Sequence, residues 1–151
     1  MENQALKIVY TFFVAVMLVL FVGLGVDAFY PEPAYPQYPV GEPTTQDLQA
    51  YTDALNAYRG DIEMYNRNVS IIATASAVTM LGLSLLLERK NKVLTNGVML
   101  GGLFTLVYGV GRGFVSGDTT MTFIVVSAGL IAVLFLGYWR FSRRGERGVM
   151  P

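Results

Sequence analysis

The chain has 151 residues, of which 53% are hydrophobic, and its eleven basic and eleven acidic residues give a net charge of zero. It contains neither cysteine nor histidine, which excludes thiol nucleophiles, disulfides, Cys/His zinc sites, iron–sulfur ligation and His-ligated haem. About half of this short chain is apolar, which leaves no room for a separate soluble enzyme domain. We therefore predict a single all-α membrane domain, 1–151, with no catalytic residue, no cofactor and no metal site.

Four uncharged apolar stretches of 19 residues follow one another along the chain: Ile8–Val26, Val69–Leu87, Val93–Gly111 and Met121–Trp139. At about 1.5 Å of rise per residue, each stretch just crosses a hydrocarbon core of about 30 Å as a helix. Lipid offers the backbone no hydrogen-bond partner, so only helices satisfy their own N–H and C=O groups there. The sequence predicts an integral membrane four-helix bundle with spans at about 8–28, 69–87, 93–112 and 120–140.

The charged residues are distributed unevenly between the two sides of these spans. The link Glu88–Lys92 holds three basic residues and the tail after Trp139 holds four arginines, whereas 27–67 holds seven acids and two arginines. Since Lys and Arg near span ends mark the cytoplasmic side, we predict that both termini are cytoplasmic. The tail arginines are assigned to orientation and to lipid headgroups, and no nucleic-acid partner is predicted.

The first span has an alternative interpretation as a cleaved signal peptide, because Val26-Asp27-Ala28 is a tolerable cleavage site. Its apolar core is longer than the usual 7–15 residues of a signal peptide, and only Lys7 supplies positive charge before it. These features favour an anchor that is not cleaved.

The outer loop, residues 29–67, is predicted to fold as a hairpin. Prolines recur there at every third position, which is the repeat of a polyproline II helix. After a turn, Thr44 and Asp47 match a capping box, with Asp in place of the commoner Glu or Gln. Apolar residues then step by three and four without a break into the second span, which predicts one helix from about Thr45 to Leu87. Gly60 weakens this helix by about 1 kcal/mol relative to Ala and allows a bend. The predicted packing face consists of Pro33, Pro36, Pro39, Leu48, Tyr51, Leu55, Tyr58, Ile62 and Tyr65.

This spacing resembles the hairpin of the pancreatic polypeptide family, in which a polyproline rod folds back onto a helix. The resemblance covers about thirty residues and implies that the three prolines face the first four residues of the helix stripe. It implies an architecture and no hormone activity. Three interpretations of the stripe stay open: burial by the rod, self-association along a coiled-coil-like seam, and docking to another protein.

Glycines in the third span are predicted to allow close helix packing. Gly97 and Gly101 have the small-xxx-small spacing that lets two helix backbones approach each other, and Gly102 follows directly. In a four-helix unit, packing within the chain is expected more often than dimerisation. Asn96, near the inner end of the same span, is expected to hydrogen-bond to a neighbouring helix.

No span interior carries an ionisable residue, although proton-coupled carriers, pumps and voltage sensors usually need one. The nearest charges, Asp27, Arg112 and Asp118, all fall at the predicted outer ends of spans. We predict that they form an ion-pair cluster that fastens the spans together. The alternative is a vestibule for a charged ligand.

Three segments resemble an uncharacterised family of small four-span membrane proteins predicted in environmental bacteria: Phe29–Pro33, Tyr65–Ser70 and Gly101–Phe114. The resemblance implies the four-span fold and a bacterial inner (plasma) membrane, and it implies no activity. We expect a non-enzymatic structural or accessory protein that presents its outer hairpin to a membrane-protein partner or to a second copy of the chain. The alternative function is that of a small oligomeric transporter or channel.

Overall fold

The computed structural model describes residues 2–88 and 90–146, and all of its regular structure in these ranges is helical. The elements are α1 (Glu2–Phe29), α2 (Thr45–Leu87), α3 (Lys92–Val115) and α4 (Thr119–Glu146). Each helix is long and apolar enough to cross a membrane, and each predicted span falls within one helix. The all-α class is therefore confirmed. Arg89 and Arg147, on which part of the predicted orientation rests, lie outside the described residues.

The starts of three helices are set by side chains that accept hydrogen bonds from the first turn. Before α2, the Thr44 hydroxyl accepts from the Asp47 N–H at 3.3 Å and the Asp47 carboxylate accepts from the Thr44 N–H at 2.9 Å, which confirms the predicted capping box. The hydrogen bond from the Thr44 hydroxyl, followed by that from its backbone, lowers the pKa of Asp47. Asn91 caps α3, and Asp118 accepts from the Met121 N–H at 2.9 Å at the start of α4.

The second helix runs from Thr45 to Leu87 without interruption, as the sequence predicts, and Gly60 lies inside it. Its 43 residues correspond to a length of about 64 Å, roughly twice the hydrocarbon core of a membrane. Its C-terminal half carries the apolar stretch and its N-terminal half carries the acidic surface. We call the end of the bundle where α1 ends and α4 begins the hairpin end, and the opposite end the terminal end.

The third helix packs against each of the other three. Two of its glycines face α1: a Cβ built on Gly97 would lie 2.9 Å from Val14 Cγ1, and one built on Gly101 would lie 3.4 Å from the Ala15 Cα. Gly102 faces α2, where its Cβ would lie 3.2 Å from the Ala77 carbonyl oxygen. The three glycines predicted to pack closely are thus all buried in contacts within the chain.

Buried hydroxyl groups join neighbouring helices beside these glycine contacts. Ser70 Oγ on α2 donates to the Gly109 carbonyl at 2.7 Å, and Thr122 Oγ1 on α4 donates to the Gly113 carbonyl at 2.7 Å. Both hydroxyls are therefore satisfied in the interior, where an unpaired polar group would be destabilising. The bonds fix the register of α2 and α4 against α3.

Gly109→Ala should destabilise the bundle, whereas Gly111→Ala should not. The Cβ at position 109 would lie 2.8 Å from Thr74 Oγ1 and 3.1 Å from the Thr74 backbone nitrogen, which cannot rotate away. Overpacking of this kind typically costs about 1–3 kcal/mol. At Gly111 the same Cβ meets no atom within 4 Å. Unfolding by SDS in mixed micelles measures both variants.

Gly111→Ala is the control for Gly109→Ala, because both substitutions gain the same helix propensity relative to glycine. The difference in unfolding free energy between them therefore reports the steric contact alone. Equal stability of the two variants would contradict the close packing of α2 and α3.

Candidate functional site: the hairpin and the Arg112 junction

The segment between α1 and α2 returns along α2 through three pairs of tyrosine rings, which we call the tyrosine ladder. In each pair the ring centroids lie 5.2–5.4 Å apart. The pairs are Tyr30 with Tyr65, Tyr35 with Tyr58, and Tyr38 with Tyr51. From one ring pair to the next, the residue number rises in the returning segment and falls in α2. The returning segment and α2 are therefore antiparallel. Aromatic pairs in these edge and stacked arrangements contribute about 0.5–1.5 kcal/mol each beyond their burial.

The burial of the returning segment has a period of three residues. Pro33, Pro36 and Pro39 are half-buried, whereas all the remaining residues of 31–40 are exposed. The prolines therefore line the edge that faces the helix, and the tyrosines beside them reach across to α2. The polyproline II conformation of this segment stays a prediction.

The α2 residues of the predicted packing face are covered by the returning segment, except at the N-terminal end of the helix. Leu48 is 41% exposed and lies beyond the ladder. The remaining residues are half-buried or, in the last case, buried: Tyr51, Leu55, Tyr58, Ile62 and Tyr65. The stripe is thus largely covered within the chain.

The tyrosines of the returning segment were not predicted as partners of the helix. The available signal was the dipeptide Tyr-Pro, which occurs three times, at Tyr30, Tyr35 and Tyr38. At Pro36 and Pro39, the preceding tyrosine places a long side chain next to the half-buried edge of the returning segment, where it can reach the helix.

At the base of the ladder, the hairpin joins the bundle. Val26, Tyr65 and Val69 form a buried cluster between α1 and α2, against which Tyr30 packs. The Tyr30 ring stacks on Tyr65, and its hydroxyl accepts a hydrogen bond from Asn68 Nδ2 at 2.8 Å. The end of α1 and the start of the returning segment are therefore both fixed to α2.

The guanidinium of Arg112 connects α3 to the same place, which we call the Arg112 junction. Its Nη1 donates to Asn66 Oδ1 at 2.8 Å and its Nε donates to the Tyr108 hydroxyl at 3.3 Å. The guanidinium carbon also lies 5.6 Å from the ring centre of Tyr65 and 5.7 Å from that of Tyr108. Two charge-assisted hydrogen bonds and two cation–π contacts thus hold one side chain. Because Tyr65 belongs to the ladder and to the junction, the two are directly coupled.

The structure does not bring Asp27, Arg112 and Asp118 together as the predicted ion-pair cluster. Asp27 is exposed, and Asp118 caps α4. Within the described ranges Arg112 forms no ion pair with either of them; its hydrogen-bond partners are Asn66 and Tyr108. Neutral partners of this kind satisfy a half-buried cation without the desolvation of a second charge.

An arginine–asparagine pair also lies at the terminal end of the bundle. Arg140 Nη2 on α4 donates to Asn96 Oδ1 on α3 at 2.6 Å, and its Nη1 contacts Met99 Sδ at 2.8 Å. The expected hydrogen bond between Asn96 and a neighbouring helix is confirmed, with Asn96 as the acceptor. Each end of α3 is therefore joined to another helix by an arginine and an asparagine.

Among the described side chains, no group of three or more His, Cys, Asp or Glu residues is placed to hold a metal ion. Comparison with family models, with curated proteins and with solved structures gives no match for this chain. The geometry itself defines the class: an all-α protein with four helices that are long and apolar enough to cross a membrane. The candidate functional site is the hairpin together with the Arg112 junction.

Arg112→Lys should lower the thermal stability of the purified protein. A lysine ammonium has no planar fork, so it cannot bond Asn66 and Tyr108 together while it lies against the Tyr65 ring. Loss of hydrogen bonds to a charged group typically costs about 1.5–3 kcal/mol. Differential scanning fluorimetry in detergent measures the change.

Arg59→Lys, at an exposed position of α2, is the matched control and should have no effect on the thermal stability.

Asp27→Asn should also change the unfolding free energy by less than about 0.5 kcal/mol, as expected for a surface substitution. If Asp27→Asn were as destabilising as Arg112→Lys, the ion-pair cluster would be the correct account and the junction described above would be wrong.

Tyr35→Ala and Tyr58→Ala should each open the hairpin to protease, and to the same extent. Both substitutions remove the same ring pair, so the double variant should be cleaved little faster than either single variant. Trypsin cleavage after Arg59, timed by mass spectrometry, is the measurement. Asn56→Ala, on an exposed part of the same helix turn, is the control. Additive effects, or protection that does not change, would contradict a hairpin packed by these rings.

Proposed function

We propose that this protein is a non-enzymatic integral membrane protein that holds a rigid acidic hairpin on the extracytoplasmic side and presents it to a partner protein. The observation that carries the proposal is the tyrosine ladder, which packs the returning segment along the polar half of α2. The location that fits best is a bacterial inner membrane with both termini in the cytoplasm. The basic link and the basic tail support that orientation.

The rigidity of the hairpin follows from its connection to the bundle. Residues 45–68 of α2 extend about 36 Å beyond the apolar half of the helix, at 1.5 Å per residue. The ladder supports this extension along one side, and the Arg112 junction fixes its base to α3. An element that is already ordered loses little conformational entropy when it binds, which favours a role in presentation to a partner.

The polar face of the hairpin offers the surface for that partner. The ladder covers the aromatic stripe, which supports packing within the chain over self-association along the stripe. Asp53, Asn56 and Glu63 are exposed, and their spacing of three and seven residues puts them on one face of the helix. Residues 27–67 carry seven acids against two arginines. This charge repels anionic lipid headgroups and attracts a protein with a basic surface.

The alternative function, a transporter or channel, draws no support from the described residues. Glycine contacts close the interface between α2 and α3, at Gly102 and Gly109. Arg112, a candidate for the outer mouth of a pore, has Asn66 and Tyr108 as its partners.

Photo-crosslinking in the native membrane tests the proposal with one probe on each face of the hairpin. A benzophenone amino acid at Tyr58 should crosslink only to the segment 33–39 of the same chain. The same probe at Asn56 should capture a partner protein with a basic surface. Replacing Asp53 and Glu63 by their amides should abolish that capture, and so should high salt, because salt screens exposed charges.

The matched comparison is between the two probe positions, which lie less than one helical turn apart. Capture of a second protein from position 58 and none from position 56 would show that the stripe is the docking face. Capture from position 56 that is insensitive to the acids and to salt would contradict the electrostatic basis of the proposal.

A further inference from the structure

An apolar groove of about 900 Å³ lies between α1 and α2. The two helices meet at the hairpin end through Val26, Tyr65 and Val69. Toward the terminal end, each packs on α3 through a different glycine face, and Val98 of α3 lines the groove between them. From Ile71 to Leu87, the α2 wall of the groove is about 24 Å long at 1.5 Å per residue.

The lining of the groove suits hydrocarbon and not a polar solute. Phe21, Ile72 and Leu83 are typical of its side chains. Its two hydroxyl side chains are already satisfied, because Ser76 donates to the Ile72 carbonyl and Thr79 to the Ala75 carbonyl, both at 2.8 Å. The walls therefore offer no free hydroxyl proton to a ligand inside the groove.

The charge of the groove is confined to its terminal end. Among the lining residues that the structure describes, the charged one is Lys90, which is exposed, and Lys92 follows two positions later. In the proposed orientation, this end meets the cytoplasmic headgroups. A lysine at that depth attracts the phosphate of an anionic lipid and contributes about 1 kcal/mol.

We propose that this groove binds an anionic phospholipid of the cytoplasmic leaflet, with its acyl chains between α1 and α2 and its phosphate at Lys90. A second apolar helix is a poorer occupant, because it would leave Lys90 without a counter-charge, whereas the phosphate of an anionic lipid supplies one. The inference rests on the membrane placement in the proposed function, and not on the partner of the hairpin.

Native mass spectrometry of the full chain tests this inference. The protein is released from mixed micelles that contain equal amounts of phosphatidylglycerol and phosphatidylcholine with identical acyl chains. We expect one retained lipid, with phosphatidylglycerol favoured about fivefold, the factor that corresponds to about 1 kcal/mol. Lys90→Ala should remove the preference and leave the occupancy. Ala75→Trp, at an exposed position of the lining, should remove the bound lipid.

Two controls match these variants. Lys7→Ala removes an exposed basic residue of α1 outside the lining, and Ala128→Trp adds the same bulk at an exposed position of α4; neither should change retention. Equal retention of the two lipids by the wild-type chain would overturn the proposal, and so would a preference that survives Lys90→Ala. A dimer that Ala75→Trp dissociates would assign the groove to a second copy instead. None of these outcomes affects the crosslinking test of the hairpin.

Discussion

The continuity of α2 is the constraint on which the rest of the structure depends. The helix is apolar in one half and polar in the other, and no loop separates the halves. Contacts made by the polar half are therefore in register with contacts made by the apolar half. Tyr65 shows this directly, because it stacks on Tyr30 of the returning segment and lies against the Arg112 guanidinium of α3. The orientation of the hairpin is set by the packing of the bundle, and the ladder extends that order away from it.

Within the bundle, the backbone of α3 is the surface on which the other helices pack. Lipid tails are as apolar as leucine, so the hydrophobic effect does not drive helices together in a membrane. In the proposed membrane setting, close approach and hydrogen bonds supply the association instead. Gly101 and Gly109 let α1 and α2 come near, and the Gly109 carbonyl, which has no side chain to cover it, accepts from Ser70. The two arginine–asparagine pairs then join the ends of α3 to α2 and α4.

Much of the fold could be predicted from the sequence, because its strongest signals are local. The uncharged apolar stretches predicted the four helices. The Thr44–Asp47 capping box predicted the start of α2, and the unbroken apolar stripe predicted that α2 continues into the second span. The partners of Arg112 could not be predicted in the same way. Charge and position along the chain favoured Asp27 and Asp118, but the contacts of a side chain depend on the rotation of each helix about its axis. Asn66, being neutral, gave no such signal, and the groove beside α1 depends on helix order, which the sequence left open.

The distance between Gln49 and Val78 of α2 is the most direct test of the central claim, that the hairpin is a rigid continuation of the bundle. Both positions are exposed and the chain has no native cysteine, so spin labels can be attached to cysteines placed there alone. Double electron–electron resonance in lipid nanodiscs should give one narrow distribution centred near about 44 Å, which is 29 residues at 1.5 Å each. A broad distribution, or one shortened by a bend at Gly60, would show that the hairpin moves independently of the bundle and would contradict the account.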